Sequence, residues 1–267
     1  MIETGFTFNG KHCESDFGLL FVEDSGGRIL SAARTVNEYE IAGGHGTVRF
    51  DGESYQPYER RGSLFPLKSP TTEAEAQALM RRVSAWLGGP RGRLVFDHEL
   101  DKYLIAECID SMLWSYEAWI DGGLSIVFKV QPFAYNIRES DTTATITTAA
   151  TAISMAVSSG VPAPLTARIT NTGTAPITGV TIDVGGKRWR FAKGMSVAAG
   201  GELLITMEHP IGASIIAAGG STSNALPHAE QFDNIEVQGR IEATVAVTYG
   251  SGTRQARVRL SARGRWR

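Results

Sequence analysis

Residues 255–263 place the tightest constraint on how this chain folds. Ala256, Val258, Leu260 and Ala262 alternate strictly with Arg257, Arg259, Ser261 and Arg263. Only an extended strand sends successive side chains to opposite sides, so the pattern predicts a strand with an apolar inner face and a charged outer face. The same period recurs in residues 165–169, 180–184, 202–207 and 241–249. Asn171–Thr174, Gly185-Gly186 and Gly250-Ser251-Gly252 stand between these runs as turns. Short alternating runs spaced by turn residues predict an antiparallel β-sandwich. Residues 142–158 are rich in Thr and Ala, with Ile153, Met155 and Val157 alternating, and read as one more strand rather than a linker. No helix is predicted in this half.

The first half has a different texture. It holds nine of the 11 Phe and six of the seven Tyr, whereas Thr, Ala, Gly and Ser dominate the second half. The change falls at residues 130–140, where an alternating strand over 124–130 runs into Gln131-Pro132-Phe133-Ala134-Tyr135. Pro132 lacks a ladder donor and is expected to end that strand. Two domains are expected, 1–135 and 136–267. In the first, residues 6–11 predict a hairpin on Asn9-Gly10, and residues 16–22 a second strand. Residues 38–42 and 47–50 are extended, with the glycine run Gly43-Gly44-His45-Gly46 between them. A helix begins after Pro70. Thr72 and Glu75 have capping-box spacing, Ala76, Leu79, Met80, Val83, Trp86 and Leu87 form one stripe, and Gly88-Gly89-Pro90 ends it. Two hairpins follow, one of residues 93–96 with 103–109, the other of residues 112–120 with 124–130. The fold class expected is therefore mainly β: an N-terminal antiparallel β-sandwich or split barrel with one α-helix, then a C-terminal antiparallel β-sandwich.

Charge and cysteine usage narrow the function classes. Residues 1–135 carry 13 Lys and Arg against 19 Asp and Glu, net −6, and residues 136–267 carry 13 against 9, net +4. This asymmetry is too small for a dedicated nucleic-acid protein. Cys13 and Cys108 form no CxxC and have no His at metal spacing, so two free, mostly buried thiols made in a reducing cytosol are expected. No signal peptide is read at the start, and no stretch reaches the roughly 20 apolar residues that span a bilayer.

Candidate sites are few, and each has a structural reading. Gly43–Gly46 leads into a strand, not into the helix that a phosphate loop needs, and reads as a turn. Asp97-His98-Glu99-Leu100-Asp101 lacks the glycine and spacing of a calcium loop and reads as a solvated hairpin tip. His12, His45, His98, His209 and His228 are scattered, and there is no Gly-x-Ser-x-Gly elbow. Six arginines lie in residues 254–267, but their alternation favours a strand's outer face over a nucleic-acid tail. No catalytic, cofactor-binding or metal residue is assigned, and no enzyme activity is expected.

Several segments together resemble the N-terminal region of siphophage distal tail proteins (Dit). These are Phe6-x-Phe8-Asn9-Gly10, Ser15-Asp16-Phe17-Gly18-Leu19, Ile41–Gly46, Tyr55-Gln56-Pro57-Tyr58, the helix ending at Trp86-Leu87, Arg93–Asp97, and Pro132-Phe133-Ala134-Tyr135, in that order. In the second half the turn at Asn171–Thr174 and Arg265-Trp266-Arg267 are similar to the family. The resemblance implies a galectin-like sandwich over 136–267. It also implies a homo-hexameric hub ring at the distal tail tip, made by the N-terminal domains with the sandwiches projecting outward. Its partners would be the tail tube protein, the tail-associated tip protein and receptor-binding or baseplate proteins, in a virion assembled in host cytoplasm. No cofactor, specific nucleic-acid binding or membrane insertion is implied. The alternative is a carbohydrate-binding or adhesion protein using the C-terminal sandwich, which would need exposed aromatic platforms from Trp189, Phe191, Phe232, Tyr249 and Trp266.

Overall fold

A computed structural model describes residues 2–3, 5–24, 32–34, 37–40, 47–50, 55–109, 123–147 and 150–267. It is mainly β and divides into two compact units, Met1–Tyr135 with Arg267, and Asn136–Trp266. The glycine run at 43–46 and the predicted strand over 112–120 lie outside the described residues.

In the first unit the strands are β1 (Ile2–Glu3), β2 (Phe6–Phe8), β3 (Lys11–His12), β4 (Leu19–Glu23), β5 (Asn37–Glu40), β6 (Thr47–Phe50), β7 (Tyr58–Pro66), β8 (Gly92–Phe96), β9 (Lys102–Cys108) and β10 (Leu124–Asn136). The helices are α1 (Cys13–Phe17) and α2 (Glu73–Leu87). The sheet runs β1-β4-β7-β10-β9-β8-β2-β3, and β5 and β6 form a separate hairpin. Phe6 on β2 and Phe21 on β4 stand five steps apart in that order, roughly 24 Å in a flat sheet. Their ring centroids are 5.1 Å apart, so the sheet curls until its two ends share one core. Helix α2 closes this core. Ala76, Met80, Val83, Trp86 and Leu87 are buried and Leu79 packs beside them, as the stripe predicts. The Trp86 indole stacks on Phe6 and Phe17, and its Nε1 donates to the Phe8 carbonyl at 2.8 Å.

Three local expectations are corrected. Residues 16–22 are not one strand: Asp16 and Phe17 finish α1, Gly18 caps it in the left-handed region (φ 67°), and β4 starts at Leu19. The capping box of α2 is shifted by one residue. Thr72 Oγ1 accepts from the Glu75 amide at 3.3 Å, but the Glu75 carboxylate accepts from the amide and hydroxyl of Thr71, and these bonds lower its pKa. Pro132 does not end β10. The ladder with β7 extends only from Leu124↔Leu64 to Val130↔Tyr58, so Pro132 lies past it and its missing donor leaves no β7 bond unmade.

The second unit contains β11 (Ser140–Ile146), β12 (Thr151–Val157), β13 (Ala163–Asn171), β14 (Ile177–Val184), β15 (Lys187–Phe191), β16 (Glu202–Thr206), β17 (Gly212–Ile216), β18 (Thr222–Asn224), β19 (Ala229–Phe232), β20 (Glu236–Val237), β21 (Gly239–Tyr249), β22 (Ala256–Ala262) and β23 (Arg265–Trp266). One sheet runs β11-β22-β13-β16-β17-β18, with β20 also on β13, and the other runs β12-β21-β14-β15-β19. Both feed a single core of Val, Ile, Leu, Ala, Met and the fully buried Trp189 and Phe191. This is an antiparallel sandwich, as the alternation predicts. The stretch 142–158 is corrected from one strand to two, β11 and β12, in opposite sheets. Its buried positions change phase, from Ile146 to Ile153, Met155 and Val157, and a single strand cannot place both sets on one face.

Two polar devices stand inside these cores. In the first unit Glu23 and Arg60 form an ion pair at 3.2 Å, with side chains only 11% and 12% exposed, and the Arg60 guanidinium lies 4.4 Å from the Phe96 ring centroid. In the second, Asn171 is fully buried. Its Nδ2 donates to the Ala175 and Val197 carbonyls at 2.9 Å each, and its Oδ1 accepts from the Gly173 amide at 3.1 Å. Asn171→Leu keeps the volume but leaves the Ala175 carbonyl without its donor and takes one of two bonds each from the Val197 carbonyl, which keeps Ile177 N, and the Gly173 amide, which keeps the Gln255 carbonyl, and is expected to cost about 2 kcal/mol in urea unfolding. A cost below about 1 kcal/mol would show that the network contributes little. Glu23→Leu should likewise cost about 3 kcal/mol because it leaves Arg60 buried without its acid, and adding Arg60→Met should recover more than half of that.

Candidate functional site

The sequence-flagged groups mostly hold the fold together. His12 Nδ1 accepts from the Glu14 and Ser15 amides at 3.2 Å each, so that nitrogen carries no proton. Its proton is on Nε2, which donates to Asp97 at 3.1 Å. His12 thus caps α1 and ties it to the turn after β8. His228 Nδ1 donates to the Lys193 carbonyl at 2.6 Å, and His98 lies against Phe96. His209 stands on an exposed loop of the second unit. The Asp97–Glu99 segment is a single 3-10 turn, and its acids serve as partners: Asp97 for His12, Glu99 for Lys102 at 2.8 Å. Among the described residues no group of three or more His, Cys, Asp or Glu could hold a metal ion. Cys13 and Cys108 form no disulfide. Cys13 is buried, which raises its pKa and keeps it protonated, whereas Cys108 is only partly covered.

The arginine-rich segment is the strand that its alternation predicts. Ala256, Val258 and Leu260 are fully buried and Ala262 is 3% exposed. Arg259 stands directly across from Arg168, a like-charge pairing that would be unfavourable alone. Asp141 lies 3.1 Å from Arg259, and Glu202 lies 2.5 Å from Arg168. Arg263 pairs with Glu139 at 2.7 Å and donates to the Asn136 and Ile137 carbonyls. Arg265 pairs with Glu236 at 3.0 Å and donates to the Pro162 carbonyl.

The aromatic residues that a sugar platform would need are committed to packing. Trp189 and Phe191 are buried, and Phe232 contacts both. The Tyr249 hydroxyl donates to the Ile146 carbonyl, and Trp266 lies over Gly160 with Nε1 donating to Asn136 Oδ1.

One concave feature of the second unit is a groove of about 580 Å³ on the outer face of the β16–β17–β18 end of its sheet. Leu204, Thr206, Glu208, His209, Ile211 and Leu226 line it among others, with no Phe, Tyr or Trp. Nothing in the sequence marks it, because its lining, all within residues 204–226, comes from three consecutive strands and their connections and carries no motif.

The fold is that of phage hub and baseplate proteins. The SPP1 Dit (gp 19.1) protein, a paradigm of the hub adsorption apparatus in phages infecting Gram-positive hosts, matches over 100% of both chains with a TM-score of 0.64 and 14% identity. A chain of the phage P2 baseplate in its activated conformation with Ca matches over 99% of this chain and 98% of its own, with a TM-score of 0.51 and 11% identity. No protein-family model and no curated protein sequence matches.

The ion pairs of the final strands bear on nucleic-acid binding. Phosphate affinity comes from cations that release counterions, and Arg259, Arg263 and Arg265 already face carboxylates. An electrophoretic shift assay with duplex DNA should find no salt-sensitive binding tighter than about 1 μM, the tight end of ordinary non-specific affinity. Tighter binding would restore the basic-tail reading.

Proposed function

We propose that this chain is a structural protein of a phage or prophage tail tip, a hub of the distal tail type. The observation that carries this reading is the match to SPP1 Dit over the whole length of both chains, at a TM-score of 0.64. It joins the ordered set of N-terminal segments from Phe6 to Tyr135 that resemble the same family. In this reading residues 1–135 form the contacts of a homo-hexameric ring. Residues 136–267 form a galectin-like sandwich that folds on its own and projects outward. One ring face receives the tail tube protein, and the other receives the tail-associated tip protein and any receptor-binding or baseplate proteins. The protein acts by assembly, not by catalysis, in the virion after assembly in the host cytoplasm.

Strand edges and hairpins are suited to such work, since head-to-tail contacts between unlike surfaces close into rings. Native mass spectrometry of the purified chain should give a species six times the 28.8 kDa chain mass, with rings in negative-stain images. A truncated chain ending at Tyr135 should retain the ring. A strictly monomeric species at high micromolar concentration, with rings absent from images of intact particles as well, would contradict the hexamer.

A further inference from the structure

The free end of the second unit's larger sheet is built to take one more strand. Strand β18 is the last in its order, and Thr222, Ser223 and Asn224 are all exposed. Its inner side pairs with β17 in the register Ser214↔Asn224, Ile215↔Ser223, Ile216↔Thr222. Beyond the ends of β18, Ala225 N donates to the Ala213 carbonyl and Ala217 N donates to the Ser221 carbonyl. Hydrogen-bonded pairs alternate along an antiparallel ladder, so 213/225, 215/223 and 217/221 are the bonded positions and 214/224 and 216/222 are not. The amides and carbonyls of Thr222 and Asn224 therefore point away from β17. They offer two donors and two acceptors at the spacing that a new strand needs.

The groove lies against this edge. Thr222 and Asn224 are part of its lining, and Ile211 and Leu226, 54% and 37% exposed, supply its apolar contacts. A Cβ added at Gly212 would meet no atom within 4 Å, so the space above that residue is open. The lining has no Lys or Arg. Its carboxylate, Glu208, is exposed and has no ion-pair partner among the described residues. An occupant that matches these features is extended, carries an apolar side chain for Ile211 and Leu226, and brings a cation to Glu208. A second copy of β18 would bring no cation from Thr222-Ser223-Asn224.

We propose that β18 and its groove form a docking site for an extended, basic and apolar segment of another protein, bound by strand addition. Backbone bonds to Thr222 and Asn224 set the register, and the groove and Glu208 select side chains. The proposal stands on the geometry of the second unit and does not require the tail-tip reading.

The test uses the full chain and fluorescein-labelled ten-residue peptides that alternate Val and Thr, with Lys at both ends, with Glu at both ends, or with Lys and N-methylated alternate amides. The Lys peptide should bind, and the Glu and N-methylated peptides should bind at least about tenfold more weakly. Thr222→Pro removes an outward donor without touching the β17 ladder, and Gly212→Phe fills the groove. Each should weaken the Lys peptide by about tenfold or more, and Glu208→Lys should invert the charge preference. Thermal melts establish that each variant is folded, and Gly212→Phe decides the matter if Thr222→Pro is not. Absence of binding at about 1 mM peptide, or binding that no variant changes, would overturn the proposal. So would a dimer in light scattering that Thr222→Pro dissolves, since the edge would then serve a second copy.

Discussion

The first unit depends on the contact between the rings of Phe6 and Phe21. These side chains belong to strands near opposite ends of the sheet order, and their meeting is what makes a curled sheet out of a flat one. Phe6 also touches Phe128 at 5.4 Å, Phe96 at 6.3 Å and Trp86 at 5.4 Å. One ring thereby joins the chain start, the middle of the sheet and helix α2. Edge-on and stacked ring pairs add about 1 kcal/mol each beyond the area they bury. The helix has no other way to cover the open core, since its polar positions face outward and its stripe ends at Trp86 and Leu87.

The second unit achieves the same end with mostly aliphatic side chains around the buried Trp189 and Phe191. Its strands alternate so regularly that inner and outer faces separate cleanly, and both sheets fill one core. The exception is Asn171, and there every polar atom of the side chain is bonded. The outer faces are left polar and threonine-rich, with their arginines held by nearby acids. A molecule of this kind presents sheet edges and loops to its surroundings, among them the outer side of β18.

Much of this was legible in the sequence. Helix α2 was readable because its start signal, its stripe from Ala76 to Leu87 and its glycine stop agree. The two-residue turn at Gly185-Gly186, with φ of 56° and 82°, was readable because glycine adopts that region at no steric cost. The misses have physical causes. Helix α1 is five residues long and capped by His12, where the usual signals are Ser, Thr, Asp or Asn. Cys13 and Phe17 sit at helical spacing, but Phe17, Leu19 and Phe21 also alternate, so both periods fitted until Gly18 broke the strand. The break between β11 and β12 was present as the phase change from Ile146 to Ile153, a signal that composition obscured. The groove had no local signal.

The central claim is that this fold serves a tail tip. Particles should be produced from the genome that carries the chain, labelled with gold-conjugated antibodies raised against residues 136–267, and imaged by electron microscopy. The account predicts gold at the distal end of the tail and nowhere else on the particle. Label distributed along the tail or on the capsid, or particles that carry none, would contradict it.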